Sequence, residues 1–257
     1  MNYIFSVIWS HSRNAFVVVS ELATRRGKRS EVGAIRVDDQ SSPFNGKLKP
    51  LPFALALISG IVSFMPVVSV AADLPTGGTV VLGSGQIGVA ANHQMTITQS
   101  SQKLAIDWQS FDIGNGNKVS VVQPGADSIA LNRVIGTDGS KIMGQLNANG
   151  RVFLINPNGV LFGKGASVNV GGLVASTLNI SNQDFANGNY AFKGDGSNAS
   201  VINQGTITAA DGGAVALLGG TVSNQGVIVA KLGTVALGAG SAATLTFSGN
   251  KIGRAHV

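Results

Sequence analysis

Val201-Ile202-Asn203-Gln204-Gly205-Thr206-Ile207-Thr208 returns 21 residues later as Val222-Ser223-Asn224-Gln225-Gly226-Val227-Ile228-Val229. A second block, Gly213-Ala214-Val215-Ala216-Leu217, is echoed 20 residues later by Gly233-Thr234-Val235-Ala236-Leu237. Strand-like runs, Gly turns and an Asn at a fixed place, with a period near 20, describe one coil of a parallel β-helix. Each coil pairs with the next through backbone hydrogen bonds and turns small apolar side chains inward. Asn203 is then expected to lie above Asn224 at a turn, its amide linking one coil to the next. Gln204 over Gln225 and Gly205 over Gly226 complete the expected ladder. A β-sandwich does not explain such an internal repeat.

The rest of the chain agrees with this reading. Gly supplies 35 of 257 residues, and only 12% are charged. Val, Ile, Ala, Thr, Ser and Asn dominate, which suits short strands joined by tight turns rather than amphipathic helices. Runs such as Thr79–Leu82, Gln94–Thr98, Lys118–Val122, Ser128–Val134, Arg151–Ile155 and Ser167–Val170 alternate with Gly, Asn, Asp and Ser. They predict an all-β domain. There are no cysteines, which excludes a disulfide-stapled or cysteine-ligated fold.

Before residue 73 the texture differs. Residues 1–30 mix aromatic and apolar residues with the basic cluster Arg25, Arg26, Lys28, Arg29. Lys47 and Lys49 precede the uncharged run Leu51–Val70, which ends in Ser69-Val70-Ala71-Ala72. A basic stretch, an apolar run and small residues form a secretory signal, with cleavage expected between Ala72 and Asp73. Twenty apolar residues also suffice to span a bilayer. Pro66 and the alanine-rich exit favour cleavage over anchoring. Thr24-Arg25-Arg26 lacks the apolar continuation of a twin-arginine signal. The expected organisation is an export signal at 1–72 (an extended part at 1–30 and a Sec-type part at 47–72), a β-helical domain at 73–250, and a tail at 251–257. That tail breaks the β-helix texture and is expected to be artefactual.

The net charge of +6 belongs to the ends of the chain. Residues 73–250 carry eight basic and eight acidic side chains, so the domain offers no basic stripe for nucleic acid.

Asn156-Pro157-Asn158-Gly159 joins the strand run Arg151–Ile155 to Val160-Leu161-Phe162. Pro157 pre-sets φ, Asn158 tolerates the next position, Gly159 permits the exit, and Asn156 caps the turn with its own amide. The run from Gly144 to Phe162, with Ala130-Leu131-Asn132-Arg133-Val134 and Val170-Gly171-Gly172-Leu173-Val174-Ala175-Ser176-Thr177, resembles the two-partner secretion domain of filamentous-haemagglutinin-type exoproteins. Ile8-Trp9-Ser10 and Phe16-Val17-Val18-Val19-Ser20-Glu21-Leu22 resemble the extended signal region of the same exported family. Together these stretches cover nearly the whole chain.

The resemblance implies a right-handed parallel β-helix with short extra-helical β-hairpins. It implies passage through the Sec translocon, cleavage by signal peptidase, and recognition by the periplasmic domains of a dedicated outer-membrane β-barrel transporter. Folding would follow at the surface of a Gram-negative cell. The domain would lead a larger adhesin, haemagglutinin-like protein or toxin whose downstream regions meet host or neighbouring cells. The chain departs from the family in two places. Some members carry an earlier Asn-Pro-Asn turn, for which Gln123-Pro124-Gly125 is the nearest equivalent here, and the insert around Val32–Phe44 lengthens the signal.

No catalytic, cofactor or metal site is expected. The histidines are His11, His93 and His256, and only His93 lies inside the β-helical domain. Its neighbours Asn92 and Gln94 read as a turn. The acids are scattered singly beside turn residues, whereas a polysaccharide-acting β-helical enzyme, the alternative reading, needs a carboxylate pair. Gly83-Ser84-Gly85-Gln86-Ile87-Gly88 matches a dinucleotide fingerprint, but a strand pattern follows instead of a helix.

Overall fold

The computed structural model describes residues 5–10, 15–20, 74–249 and 251–256. The chain divides into two units, Met1–Phe64 and Met65–Val257. In the first, Phe5–Ser10 pairs antiparallel with Ala15–Ser20. The run Leu51–Val70 and the Ala72–Asp73 bond lie outside the described residues.

The second unit is the parallel β-helix expected from the repeat. Its chain winds through three faces in turn. Sheet I stacks Gly85–Ile87, Gln94–Gln99, Lys118–Val122, Gln145–Ala148, Ser167–Val170, Thr206–Ala209 and Val227–Ala230. Sheet II stacks Thr79–Leu82, Lys103–Trp108, Ile129–Val134, Arg151–Ile155, Gly172–Ser176, Ala214–Gly219 and Thr234–Ala239. Sheet III stacks Ser140–Ile142, Val160–Phe162, Ser200–Asn203 and Thr221–Asn224. All neighbours pair in parallel except the first strands of sheets I and II, which fold back antiparallel over the first coil. The repeat in the sequence is the register of the ladder: Asn203 opposes Asn224, Ile207 opposes Ile228 and Val215 opposes Val235.

Side-chain alternation sets which residues face inward. In sheet I the inward column runs Met95, Val119, Leu146, Val168, Ile207, Ile228. In sheet II it runs Leu104, Ala130, Val152, Leu173, Val215, and the column ends at Val235, exposed on the last coil. These columns, with Phe162 and Val201 from sheet III, form one apolar interior. Asn132, buried within it, accepts a 3.1 Å hydrogen bond from Trp108 Nε1. That bond satisfies the indole where no water reaches.

The middle strands of sheet II are buried on both faces, so they read as unbroken apolar runs such as Val152-Phe153-Leu154-Ile155. Its outer face carries Leu131, Phe153, Val174 and Ala216 in one column. The cover comes from two places. Residues 177–199 leave the solenoid and form the helix Asn182–Asn187 and the strand Tyr190–Lys193. That strand pairs antiparallel with Ala242–Ser248, which pairs in turn with Lys251–His256. Within this three-stranded sheet, Ala242–Ser248 and Lys251–His256 form an extra-helical antiparallel hairpin. Residues 251–256, whose texture breaks the repeat, are the sheet's third strand, and Ile252 is buried in the apolar layer beneath it.

The six-residue helix is the departure from an all-β reading. It is too short for a 3.6-residue period to register, and its signal lies in the caps. Ser181 Oγ accepts from Asp184 N and donates to the Asp184 carboxylate. Gly188 closes the helix at φ 76°. The Ser181 hydroxyl, then the Asn189 amide, hold the Asp184 carboxyl below its ordinary value.

The register predicts unequal costs within adjoining strands. Leu154→Ala, facing inward from sheet II, is expected to lose about 2–5 kcal/mol. Leu161→Ala, facing outward from sheet III, is expected to lose about 1 kcal/mol or less. Urea unfolding of the full chain measures both, and equal losses would contradict the assigned register.

Candidate functional site

The Asn156–Gly159 turn makes the corner between sheets II and III. Asn156 is fully buried. Its Oδ1 accepts from Asn158 N at 2.9 Å, and its backbone carbonyl accepts from Gly159 N at 3.0 Å. Its Nδ2 reaches back to the previous coil, donating to the Asp138 carbonyl at 2.9 Å and Ser140 Oγ at 3.0 Å. Asn158 Nδ2 does likewise to the Gly136 carbonyl. Toward the next coil, the Pro157 carbonyl accepts from Ser197 Oγ. Gly159 sits at φ 116°, a conformation closed to most side chains. The tetrapeptide is therefore a corner bonded to the coils on both sides.

The second polar set lies at the corner between sheets III and I. Asn203 Nδ2 donates to Asn224 Oδ1 at 2.8 Å, and Gln204 Nε2 donates to Gln225 Oε1 at 3.1 Å. Asn203 Oδ1 also accepts from Gly205 N, which closes the turn locally. A Cβ on Gly205 would come within 2.6 Å of the Gly163 carbonyl oxygen. The coils pass too closely there for a side chain.

A third corner, between sheets I and II, holds the turn Gln123-Pro124-Gly125, whose buried bonding the sequence did not reveal. Buried Gln123 donates through Nε2 to Gln99 Oε1 at 3.0 Å and to the Ser128 and Arg151 carbonyls. Its Oε1 accepts from Gly150 N. Asn149 pairs with the Gln123 backbone in both directions. The corner's sequence signals are the turn Gln123-Pro124-Gly125 and the 24-residue spacing of Gln99 and Gln123, each at the end of a strand run. Three cations on sheet II were missed as well. Lys103, Arg133 and Arg151 point outward and hold the cover. Burial pushes the Lys103 ammonium below its ordinary value.

The acids are dispersed. Asp107 pairs with Arg133 at 3.3 Å, Asp127 with Arg151 at 3.0 Å and Asp211 with Lys231 at 3.5 Å. Asp112 accepts from Lys141 N, and Asp195 from Ser197 N, which lowers the Asp195 value. Asp112 and Asp138 edge an open groove of about 700 Å³ over sheet III, floored by Lys141, Leu161 and Ile202. Among the described residues no three His, Cys, Asp or Glu cluster as metal ligands. His93 has φ 62° and shares a 2.8 Å hydrogen bond between Nδ1 and Asn117 Oδ1, a turn geometry. Gly85–Ile87 is a strand with no helix after it, so the glycine fingerprint makes no phosphate cradle.

Two variants separate the corners. Asn156→Ala strands the Asp138 carbonyl and the Asn158 amide and is expected to cost about 1–3 kcal/mol. Asn224→Ala, at an exposed position, is expected to cost less than about 1 kcal/mol. Thermal melts of the full chain give the comparison, and equal shifts would refute it.

Comparison with known proteins agrees with this geometry. Residues 71–256 match the TPS secretion domain family, and residues 1–41 match the Extended Signal Peptide of Type V secretion system. The heme/hemopexin-binding protein of Haemophilus influenzae strain Rd is 43% identical over 191 residues, 71% of this chain and 21% of that protein. A second Haemophilus influenzae heme/hemopexin-binding protein is 41% identical over 133 residues, 52% of this chain and 14% of that protein. The chain thus spans about a fifth or less of the curated relatives it matches. The crystal structure of the HMW1 secretion domain from Haemophilus influenzae superposes with a TM-score of 0.64 at 35% identity, covering 70% of this chain and 49% of that one. Such a signal and domain direct a chain through the periplasm and outer membrane to the cell surface or beyond. The chain therefore belongs to the TPS secretion domain family, with an extended type V signal peptide leading the secretion domain of an exported protein.

Proposed function

We propose that this domain is the export handle of a larger adhesin, haemagglutinin-like protein or toxin. It crosses the inner membrane through the Sec translocon, and signal peptidase cuts between Ala72 and Asp73. The periplasmic domains of an outer-membrane β-barrel transporter take up the unfolded domain. The corner Asn156-Pro157-Asn158-Gly159 and the ladder Asn203-Gln204-Gly205 over Asn224-Gln225-Gly226 then help it to fold outside. Contacts with host or neighbouring cells belong to regions beyond the domain.

The observation that carries this reading is the coil-by-coil bonding of the solenoid. Each coil satisfies its backbone groups on the coil before it, so every coil that forms outside releases free energy and resists return through the membrane. A chain without cysteines crosses unfolded with no cross-link to break. Asp107, Asp127 and Asp211 each sit in an ion pair with a basic side chain, and Asp184 and Asp195 bond within turns, which supports a role without catalysis.

The test is secretion of the full chain from a bacterial host with and without its outer-membrane transporter. The expected product in the medium begins at Asp73 and requires the transporter. Asn156→Ala is expected to lower its yield several-fold by slowing coil formation. Release without any transporter, or an uncut chain held in the inner membrane, would overturn the proposal.

A further inference from the structure

The cover over sheet II is attached differently from every coil beneath it. Its strands Tyr190–Lys193, Ala242–Ser248 and Lys251–His256 make a sheet of their own, with no ladder to sheet II. Two kinds of side-chain contact hold it. One is an apolar layer in which Phe153, Val174 and Leu218 meet Phe185, Tyr190 and Leu245. Phe153 stands at its centre, with its ring centroid 5.5 Å from that of Tyr190 and 6.1 Å from those of Phe185 and Phe247. The other is a set of cations reaching out of sheet II. Lys103 Nζ donates to the Phe185 and Ala186 carbonyls at 2.9 Å. Arg133 Nη2 donates to the Ile180 carbonyl at 2.9 Å and Asn182 Oδ1 at 2.7 Å. Arg151 Nη2 donates to the Gly249 carbonyl at 2.8 Å, and its guanidinium lies 5.1 Å from the Phe247 ring centre.

The backbone acceptors in these grips are carbonyls that water satisfies equally well, so losing a grip leaves few groups stranded. Separating two coils, by contrast, breaks a whole ladder. The grips also join residues 82, 47 and 98 positions apart. Such contacts carry a large loop-closure cost and form after the local stacking of coils.

We propose that the cover is a latch, closing last and opening as a unit while the solenoid stays folded. Lys103, Arg133 and Arg151 are its catches. The open form bares an apolar strip along the outer face of sheet II, centred on Phe153. This gives the molecule two stability levels, a lower one for residues 178–193 with 242–252 and a higher one for the stacked coils.

Hydrogen exchange followed by mass spectrometry on the full chain tests this, with a dye that fluoresces on apolar surface as second readout. In the native chain, amides of 190–193 and 242–248 are expected to exchange at least about tenfold faster than those of 118–122 and 145–148. Arg151→Ala is expected to speed the cover about tenfold further and raise dye fluorescence, with sheet I unchanged within about twofold. Arg151→Lys, which keeps a cation, is expected to restore part of the protection. Cover and sheet I speeding up together, or a cover that does not respond, would overturn the latch. Should Arg151→Ala fail to fold, Lys103→Met makes the same comparison at the helix end of the cover. Acceleration confined to 182–193 and 242–248 supports the latch, and any other pattern refutes it.

Discussion

Everything in the folded unit depends on the parallel backbone ladder between successive coils. A strand within a coil has no partner in its own coil, so its amides and carbonyls must bond to the coils before and after. That requirement fixes the register. It stacks like on like: Val119 on Leu146 and Leu146 on Val168 in sheet I, Val152 on Leu173 and Leu173 on Val215 in sheet II. Some positions stack a large side chain on a small one, as with Leu104 over Ala130.

The ladder lapses at the corners, where the chain turns and backbone groups point sideways. There the protein spends buried amide side chains. Asn156, Gln123 and Asn203 each bond within their own turn and also to a neighbouring coil. A buried amide so bonded satisfies groups that would otherwise be desolvated without partners. Glycine serves where the coils pass too closely for a side chain, as at Gly205. The three corners therefore solve one problem with one chemistry, two of them with a proline in the turn, Pro124 and Pro157.

Sheet II adds a second layer outside the solenoid. Its outer face would be an exposed apolar strip without the helix and the antiparallel sheet that cover it. The secretion role and the covered face draw on the same property of a solenoid. Stability accrues coil by coil, and features at the periphery act on top of a core that is already complete. The curated relatives it matches are several times longer than this chain.

The sequence alone determined the architecture, because a solenoid repeats its physics. The spacing from Val201 to Val222 is the spacing of the ladder, so period, register and inward columns were legible in one dimension. The turn chemistry of Asn156-Pro157-Asn158-Gly159 was legible because it is local. The corner built on Gln99 and Gln123, the outward grips of Lys103, Arg133 and Arg151, and the pairing of Tyr190–Lys193 with Ala242–Ser248 were not. They join residues without a fixed period, and one sequence carries no record of a non-repeating contact. Nor did composition reveal that the middle strands of sheet II are buried on both faces. An apolar run such as Val152-Phe153-Leu154-Ile155 reads alike whether one face or both are covered, and only the tertiary fold decides what lies on the second.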